Sequence, residues 1–200
     1  SAAAPILLQA QAGKTWPGVA VLAAQSPSLL EHVVVRDTHA VTLGNWSLTG
    51  GVNFYASPVE LRDCAFYASH GEDALNIIHS RFDIKGLFIS GTASDAFDAD
   101  FSTGTVSRSR FENIGAAGGG DGIDISGSQV AASQIDFSEI SDKALSVGER
   151  SEMTARNITV SGAGTGAAAK DGSLLVLTDA QINRVQFAGL TAYIKKAEHG

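Results

Sequence analysis

The chain has one cysteine, four prolines and only 14 basic residues in 200, and each shortage narrows the reading. Cys64 has no partner for an intramolecular disulfide. Its neighbours Leu61, Ala65 and Phe66 suit a buried core position better than a reactive thiol. The 14 basic residues face 21 acidic ones, a net charge of −7. Nucleic-acid binding runs on Lys and Arg neutralising phosphates, so that partner is not expected. No apolar run is long enough to cross a bilayer, so membrane insertion is not expected either. The opening Ser1-Ala2-Ala3-Ala4-Pro5 lacks the charged region of a signal peptide, as a mature chain or a piece of a longer one would. The motifs of phosphate loops, zinc proteases and serine-hydrolase elbows are missing. His32, His39, His70, His79 and His199 show no metal-ligand spacing.

What is present is a hydrophobic content of 44% with 18% charge, enough apolar side chain for one core, and 22 glycines among short β-rich runs. Those runs repeat. Gly51-Val52-Asn53-Phe54-Tyr55, Ala74-Leu75-Asn76-Ile77-Ile78, Ala96-Phe97-Asp98-Ala99-Asp100 and Gly122-Ile123-Asp124-Ile125-Ser126 are four versions of one segment. Ala144-Leu145-Ser146-Val147-Gly148, Gly166-Ala167-Ala168-Ala169-Lys170 and Gly189-Leu190-Thr191-Ala192-Tyr193 continue it. The starts lie 23, 22, 26, 22, 22 and 23 residues apart, and the longest step contains the loop Gly118-Gly119-Gly120. Apolar residues alternate with polar ones inside each segment, as on a strand with one buried face. A second run follows in each repeat (59–61, 82–84, 105–107, 129–131, 152–154, 174–177), then a third (66–67, 87–89, 111–114, 135–137, 158–160, 182–185).

Three short strands per 22–26-residue coil predict an all-β fold, a right-handed parallel β-helix of about six coils, as one domain over 1–200. Residues 51–195 form the regular coils. Residues 1–50 read as an irregular cap and an incomplete first coil, with strands near 16–21, 29–35 and 40–43 and an Ala-rich start covering the open end.

Equivalent residues on stacked coils lie about 4.8 Å apart, so the residues alternating with the core form columns. One column is Asn53, Asn76, Asp98, Asp124, Ser146, Ala168 and Thr191. The next is Tyr55, Ile78, Asp100, Ser126, Gly148, Lys170 and Tyr193. A third, just before the strand, is Gly50, Asp73, Asp95, Asp121, Lys143, Thr165 and Ala188. Six aspartates thus share one patch: Asp73, Asp95, Asp98, Asp100, Asp121 and Asp124, with Glu72 and Asp142 at its margin. Carboxylates so close take up a cation, raise a pKa or splay into water. The first outcome makes the six a calcium site. The second makes an acid/base pair for glycosidic chemistry from Asp98 and Asp124, with Asp121 or Lys143 assisting. The bland reading of Asp73, Asp95 and Asp121 is turn capping, and of Asn53 and Asn76 an amide ladder. Asn53, Tyr55, Asn76, His79 and Ser126 are the candidate substrate contacts, and Tyr193 and Trp46 are further aromatic surfaces for a sugar ring.

The stretches Gly119-Gly120-Asp121-Gly122-Ile123-Asp124-Ile125-Ser126-Gly127-Ser128 and Ser94-Asp95-Ala96-Phe97-Asp98 resemble coils of the pectate-lyase-like superfamily, over residues 50–195. The stretch from Gly50 to Cys64, with Glu72-Asp73-Ala74-Leu75-Asn76, is also similar to β-helix regions accompanying bacterial spore-coat-H-type kinase-like domains, which implies an accessory module. Ser94-Asp95 and Asp98 loosely match the first polygalacturonase motif and Gly120-Asp121-Gly122 stands where that group has paired aspartates. Its His-Gly and Arg-Ile-Lys motifs are missing, as is the Asp-Pro-His-Asp motif of alginate epimerases. No Arg occupies the acidic columns as in pectate lyases, although Arg81 and Arg150 lie nearby in sequence. The resemblance therefore implies a fold and a carbohydrate connection, and fold alone licenses no activity. Three readings stand: a secreted or cell-surface module recognising polysaccharide through an acidic, calcium-binding face; a lyase, hydrolase or epimerase; and a structural spacer or oligomeric fibre segment. An acidic face repels polyuronates unless calcium bridges them.

Overall fold

Strict alternation of apolar and polar residues decides the architecture, because only one face of each strand has anything to bury. In the computed structural model, which describes residues 1, 3–44 and 46–196 and gives side chains for all of these but Leu43 and Trp46, the chain winds as an all-β parallel solenoid. Its first sheet stacks Val19–Leu22, Gly50–Tyr55, Asp73–Ile78, Asp95–Asp100 and Ile123–Ser126. The last parts of the long strands Gln129–Gly148, Glu152–Lys170 and Leu174–Tyr193 complete it. That is eight rungs, close to the expected about six coils. The register is the one the repeat demands: Val52, Leu75, Phe97, Ile123, Leu145, Ala167 and Leu190 are successive partners. Six of these are sealed in the core, and Leu190 on the last rung is exposed. Phe82 meets Phe97 edge-on at 5.4 Å, and Phe111 stacks on Phe137 at 5.2 Å, inside the core column.

The first fifty residues are more regular than expected. Val19–Leu22, Ser28–Glu31 and Val33–Arg36 form a complete coil, and Ile6–Gln9 pairs with Val33–Arg36 as a further rung of the third sheet. The expected strand at 40–43 is half of an antiparallel hairpin, Val41–Leu43 with Trp46–Leu48. This hairpin lengthens the step from the first rung to the next to 33 residues, from Val19 to Val52.

At each corner one residue takes a left-handed backbone that redirects the strand. After the first sheet these residues are Ala23, Ala56, His79, Phe101, Gly127, Glu149 and Asp171. One residue further on, or two after Glu149 and Asp171, a serine turns inward. Ser57, Ser80, Ser102, Ser128, Ser151 and Ser173 each accept a hydrogen bond, at 2.8–3.0 Å, from the backbone N–H of the preceding coil. Ser57, Ser80, Ser102 and Ser128 donate in turn to the carbonyl two residues before them. This ladder supplies corner N–H groups with partners where the sheet cannot. Ser102→Ala leaves the Ser80 N–H buried and unpaired. It is expected to cost about 1–3 kcal/mol in urea unfolding, whereas Thr105→Ala on the exposed face costs less than half as much. Equal, small losses for both would show that the ladder carries no stability.

Candidate functional site

Two insertions occur at the corner that leads into the first sheet. The hairpin 41–48 precedes the rung Gly50–Tyr55, and the loop 115–120 precedes Ile123–Ser126. The loop is pinned between Thr92 and Ala93, whose carbonyls accept the N–H groups of Ala116 and Ala117, and Ser141, whose hydroxyl accepts the Gly120 N–H. The two rungs between the insertions, Asp73–Ile78 and Asp95–Asp100, have short corners. The insertions are three rung spacings apart, about 14 Å, and between them lies most of the acidic patch.

The expected columns are in register. Asn53, Asn76, Asp98, Asp124, Ser146, Ala168 and Thr191 are successive partners. Their exposure differs from the expectation. Asn53 is 1% exposed, with its amide bonded to the Gly50 N–H and C=O, so it has a structural role and offers little to a ligand. Asn76 is 3% exposed. Its Nδ2 donates to Thr49 Oγ1, Asp73 Oδ2 and Asp98 Oδ2, while its Oδ1 has no partner. Asp98, Asp100, Asp124 and Ser126 are partly exposed and form the accessible part of the patch. Tyr55 and His79 are exposed at the next corner, whereas Tyr193 lies on the last rung, away from the patch. The side chain of Trp46 and all of His199 fall outside the described residues.

Two of the three pre-strand aspartates, Asp95 and Asp121, act as caps between coils. Asp95 Oδ1 accepts the Asp121 N–H at 2.7 Å, and Asp121 Oδ1 accepts the Lys143 N–H at 2.8 Å. The Lys143 ammonium lies 3.3 Å from Asp121 and 2.5 Å from Asp142. Burial works against that ammonium, but the two carboxylates outweigh it and raise its pKa. Among the described residues no three carboxylate, imidazole or thiol groups are placed to hold a metal ion. The carboxyl oxygens of Asp95 and Asp121 are instead turned to backbone N–H groups and, at Asp121, to Lys143.

Burial dominates the carboxyl pKa values. It pushes Asp98 well above the ordinary range, and Asp73, Asp100, Asp124 and Asp95 push the same way. Asp95 is raised to about 8 by burial and by its acidic neighbours, against the Asp121 N–H bond. Asp73 is raised to about 6 by burial, against hydrogen bonds from Thr49 and Asn76. Asp100 and Asp121 are raised too, again chiefly by burial. Asp124 differs in having a cation beside it. Lys170, from the second column and two rungs on, folds back so that its Nζ lies 2.6 Å from Ser146 Oγ and 3.6 Å from Asp124 Oδ1. Gly148 permits this: a Cβ there would stand 3.2 Å from Lys170 Cε. Lys170 is the residue that the sequence reading placed in a column but not in the site. The small residue one rung before it was the available signal.

No family model matches the chain, and no curated protein is similar to it in sequence. Among solved structures it is similar to the catalytic domain of a GH87 alpha-1,3-glucanase in complex with nigerose. The identity is 9% and the TM-score 0.38, covering 98% of this chain and 59% of that one. It is also similar to PfbA, a surface adhesin of Streptococcus pneumoniae, at 10% identity and a TM-score of 0.18, covering 84% and 72%. The chain thus spans less than two thirds of the glucanase domain's length.

A carboxyl whose folded pKa lies above its unfolded value near about 4 binds its proton more tightly when folded. The stability it contributes is complete below about pH 4 and is lost as pH rises through the folded value, about 8 for Asp95. Asp95→Asn keeps the acceptor for the Asp121 N–H and removes the titration. The variant is expected to have a higher urea midpoint than the parent at pH 8 and to lose that advantage by pH 4. A constant difference across that range would contradict the raised pKa.

Proposed function

We propose that this chain is a polysaccharide-acting β-helix module that takes a glycan across its first sheet, between the two insertions, and cleaves a glycosidic bond with Asp98 and Asp124. One observation carries the reading: two carboxyls on adjacent rungs stand in opposite electrostatic settings. Asp98 is partly buried among other acids, and burial and those acids hold its pKa well above the ordinary carboxyl range, whereas Asp124 has the Lys170 ammonium beside it. Paired carboxyls in contrasting environments are the arrangement that separates an acid from its partner. The rung spacing of about 4.8 Å is near the about 5–5.5 Å used in hydrolysis with retention. Asp98 gives its proton to the departing glycosidic oxygen as Asp124 attacks the anomeric carbon. Asp98 then takes a proton from the water that displaces Asp124, restoring both groups. Burial raises the pKa of five of the six aspartates, so the face favours a neutral glycan over a polyanionic one less strongly than six free carboxylates would. Polymeric glycans of this kind place the module outside the cell or on its surface.

Recognition without turnover is a second reading, favoured by the partly exposed Asp98, Asp100, Asp124 and Ser126 side by side on adjacent rungs. Their outer oxygens suit sugar hydroxyls, or calcium bridging to the glycan. The test is product release from a panel of neutral and acidic polysaccharides, with calcium or with a chelator, scoring reducing ends and unsaturated uronates. Hydrolysis is expected, and Asp98→Asn or Asp124→Asn alone should lower it about 10²–10⁴-fold. Binding without release, abolished by chelation, would replace the enzyme reading with calcium-bridged recognition. Neither binding nor release would overturn both.

A further inference from the structure

Beyond Asp100 the first sheet ends in a corner groove of about 450 Å³, lined by residues that include Gln25, Pro58, His79, Arg81, Phe101 and Thr103. The serine ladder creates it. Ser80 and Ser102 are drawn inward by their inter-coil hydrogen bonds. The residues on either side must therefore face out, His79 and Phe101 on one wall and Arg81 and Thr103 on the other. Arg81 and Thr103 are register partners on adjacent rungs. Phe101 is 58% exposed, an unusual position for a phenyl ring that has a core available to it. It is held there by packing. Its ring stacks on His79 with centroids 5.1 Å apart, and it covers Gly127, where a Cβ would come within 2.7 Å of the ring. Tyr55 meets His79 edge-on and extends the row to a third rung. On the opposite wall the Arg81 guanidinium makes no hydrogen bond or ion pair among the described residues.

We infer that this groove is a separate subsite for a sugar ring bearing an anionic group, with the ring against Phe101 and His79 and the anion on Arg81. An apolar wall facing a few polar groups is the usual composition of a small-molecule site, and the volume is in the usual range. An unpaired guanidinium is the donor suited to a carboxylate or a sulfate, which it can engage through two N–H groups. Charge fixes the orientation. Asp100 flanks the groove on the first-sheet side and Arg81 lies on the other, so the anion points away from the acidic patch. The inference rests on the glycan reading above and adds a substrate class to it: a chain containing acidic residues, one of which sits about 10 Å along the strand from Asp98.

The test measures binding by calorimetry in the whole chain, with two matched pairs: oligogalacturonate against its methyl ester, and a sulfated galactan oligosaccharide against its desulfated form. Within at least one pair the charged member is expected to bind about ten-fold tighter. Which pair it is separates carboxylate from sulfate. Arg81→Gln should erase the difference, and Phe101→Ala should weaken both members. Neither substitution threatens the fold: the column of Phe101 has alanine at Ala23 and Ala56, and Gln129 follows Arg81 and Thr103 in theirs. Asp98→Asn should leave the preference intact. A preference absent in the parent, or unchanged by Arg81→Gln, overturns the inference. Asp98-dependent hydrolysis of a neutral glycan would still stand in that event, so the failure of this subsite and of the enzyme reading are distinguishable.

Discussion

Every rung must hydrogen-bond to the rungs on either side of it, and that requirement governs the rest of the molecule. It fixes the spacing at about 4.8 Å, so any residue type that recurs once per coil becomes a column of near neighbours. For apolar residues this produces the core. For serine it produces the corner ladder, which carries hydrogen bonding past the left-handed residue where the sheet pattern breaks. For aspartate it produces like charges at a separation that costs free energy unless something relieves them.

Three kinds of relief operate along the acidic columns. Asp95 and Asp121 accept N–H groups from the next coil, which favours their charged form. Lys143 and Lys170 supply cations at the C-terminal side of the patch, the second by reaching back over Gly148. In the middle, at Asp98, neither is available, and burial among the other acids pushes its pKa well above the ordinary range. The contrast over one rung between a carboxyl without a cation and an ion-paired one therefore follows from where the cations sit, and it gives the patch a direction that stacking alone does not.

The coil length, the inward columns and the register of the aspartates were legible in the sequence, because period and alternation are local properties. The count of coils was legible only approximately, since the hairpin 41–48 hides the first complete turn. Exposure was not legible either. The column holding Asn53 and Asn76 faces away from the core, as alternation requires, yet Thr49 and Asp73 close over it from the adjoining corner. Lys170 lies 46 residues from Asp124, and only the flexible reach of its side chain joins them. The corner serines recur at the coil period too, but a lone serine after a strand reads as a turn residue until its partner on the next coil is known. The aromatic groove depends on that same inward turn.

The account stands or falls on the protonation state of Asp98. Carboxyl ¹³C NMR of aspartate-labelled chain, assigned by difference against Asp98→Asn, follows that single group from pH 3 to pH 9. A resonance that remains protonated at pH 7 is the predicted result, with Lys170→Met shifting the Asp124 signal. An Asp98 signal that titrates near pH 4, like a solvated carboxylate, would contradict the account, because the acid that donates to a glycosidic oxygen would then be missing at neutral pH.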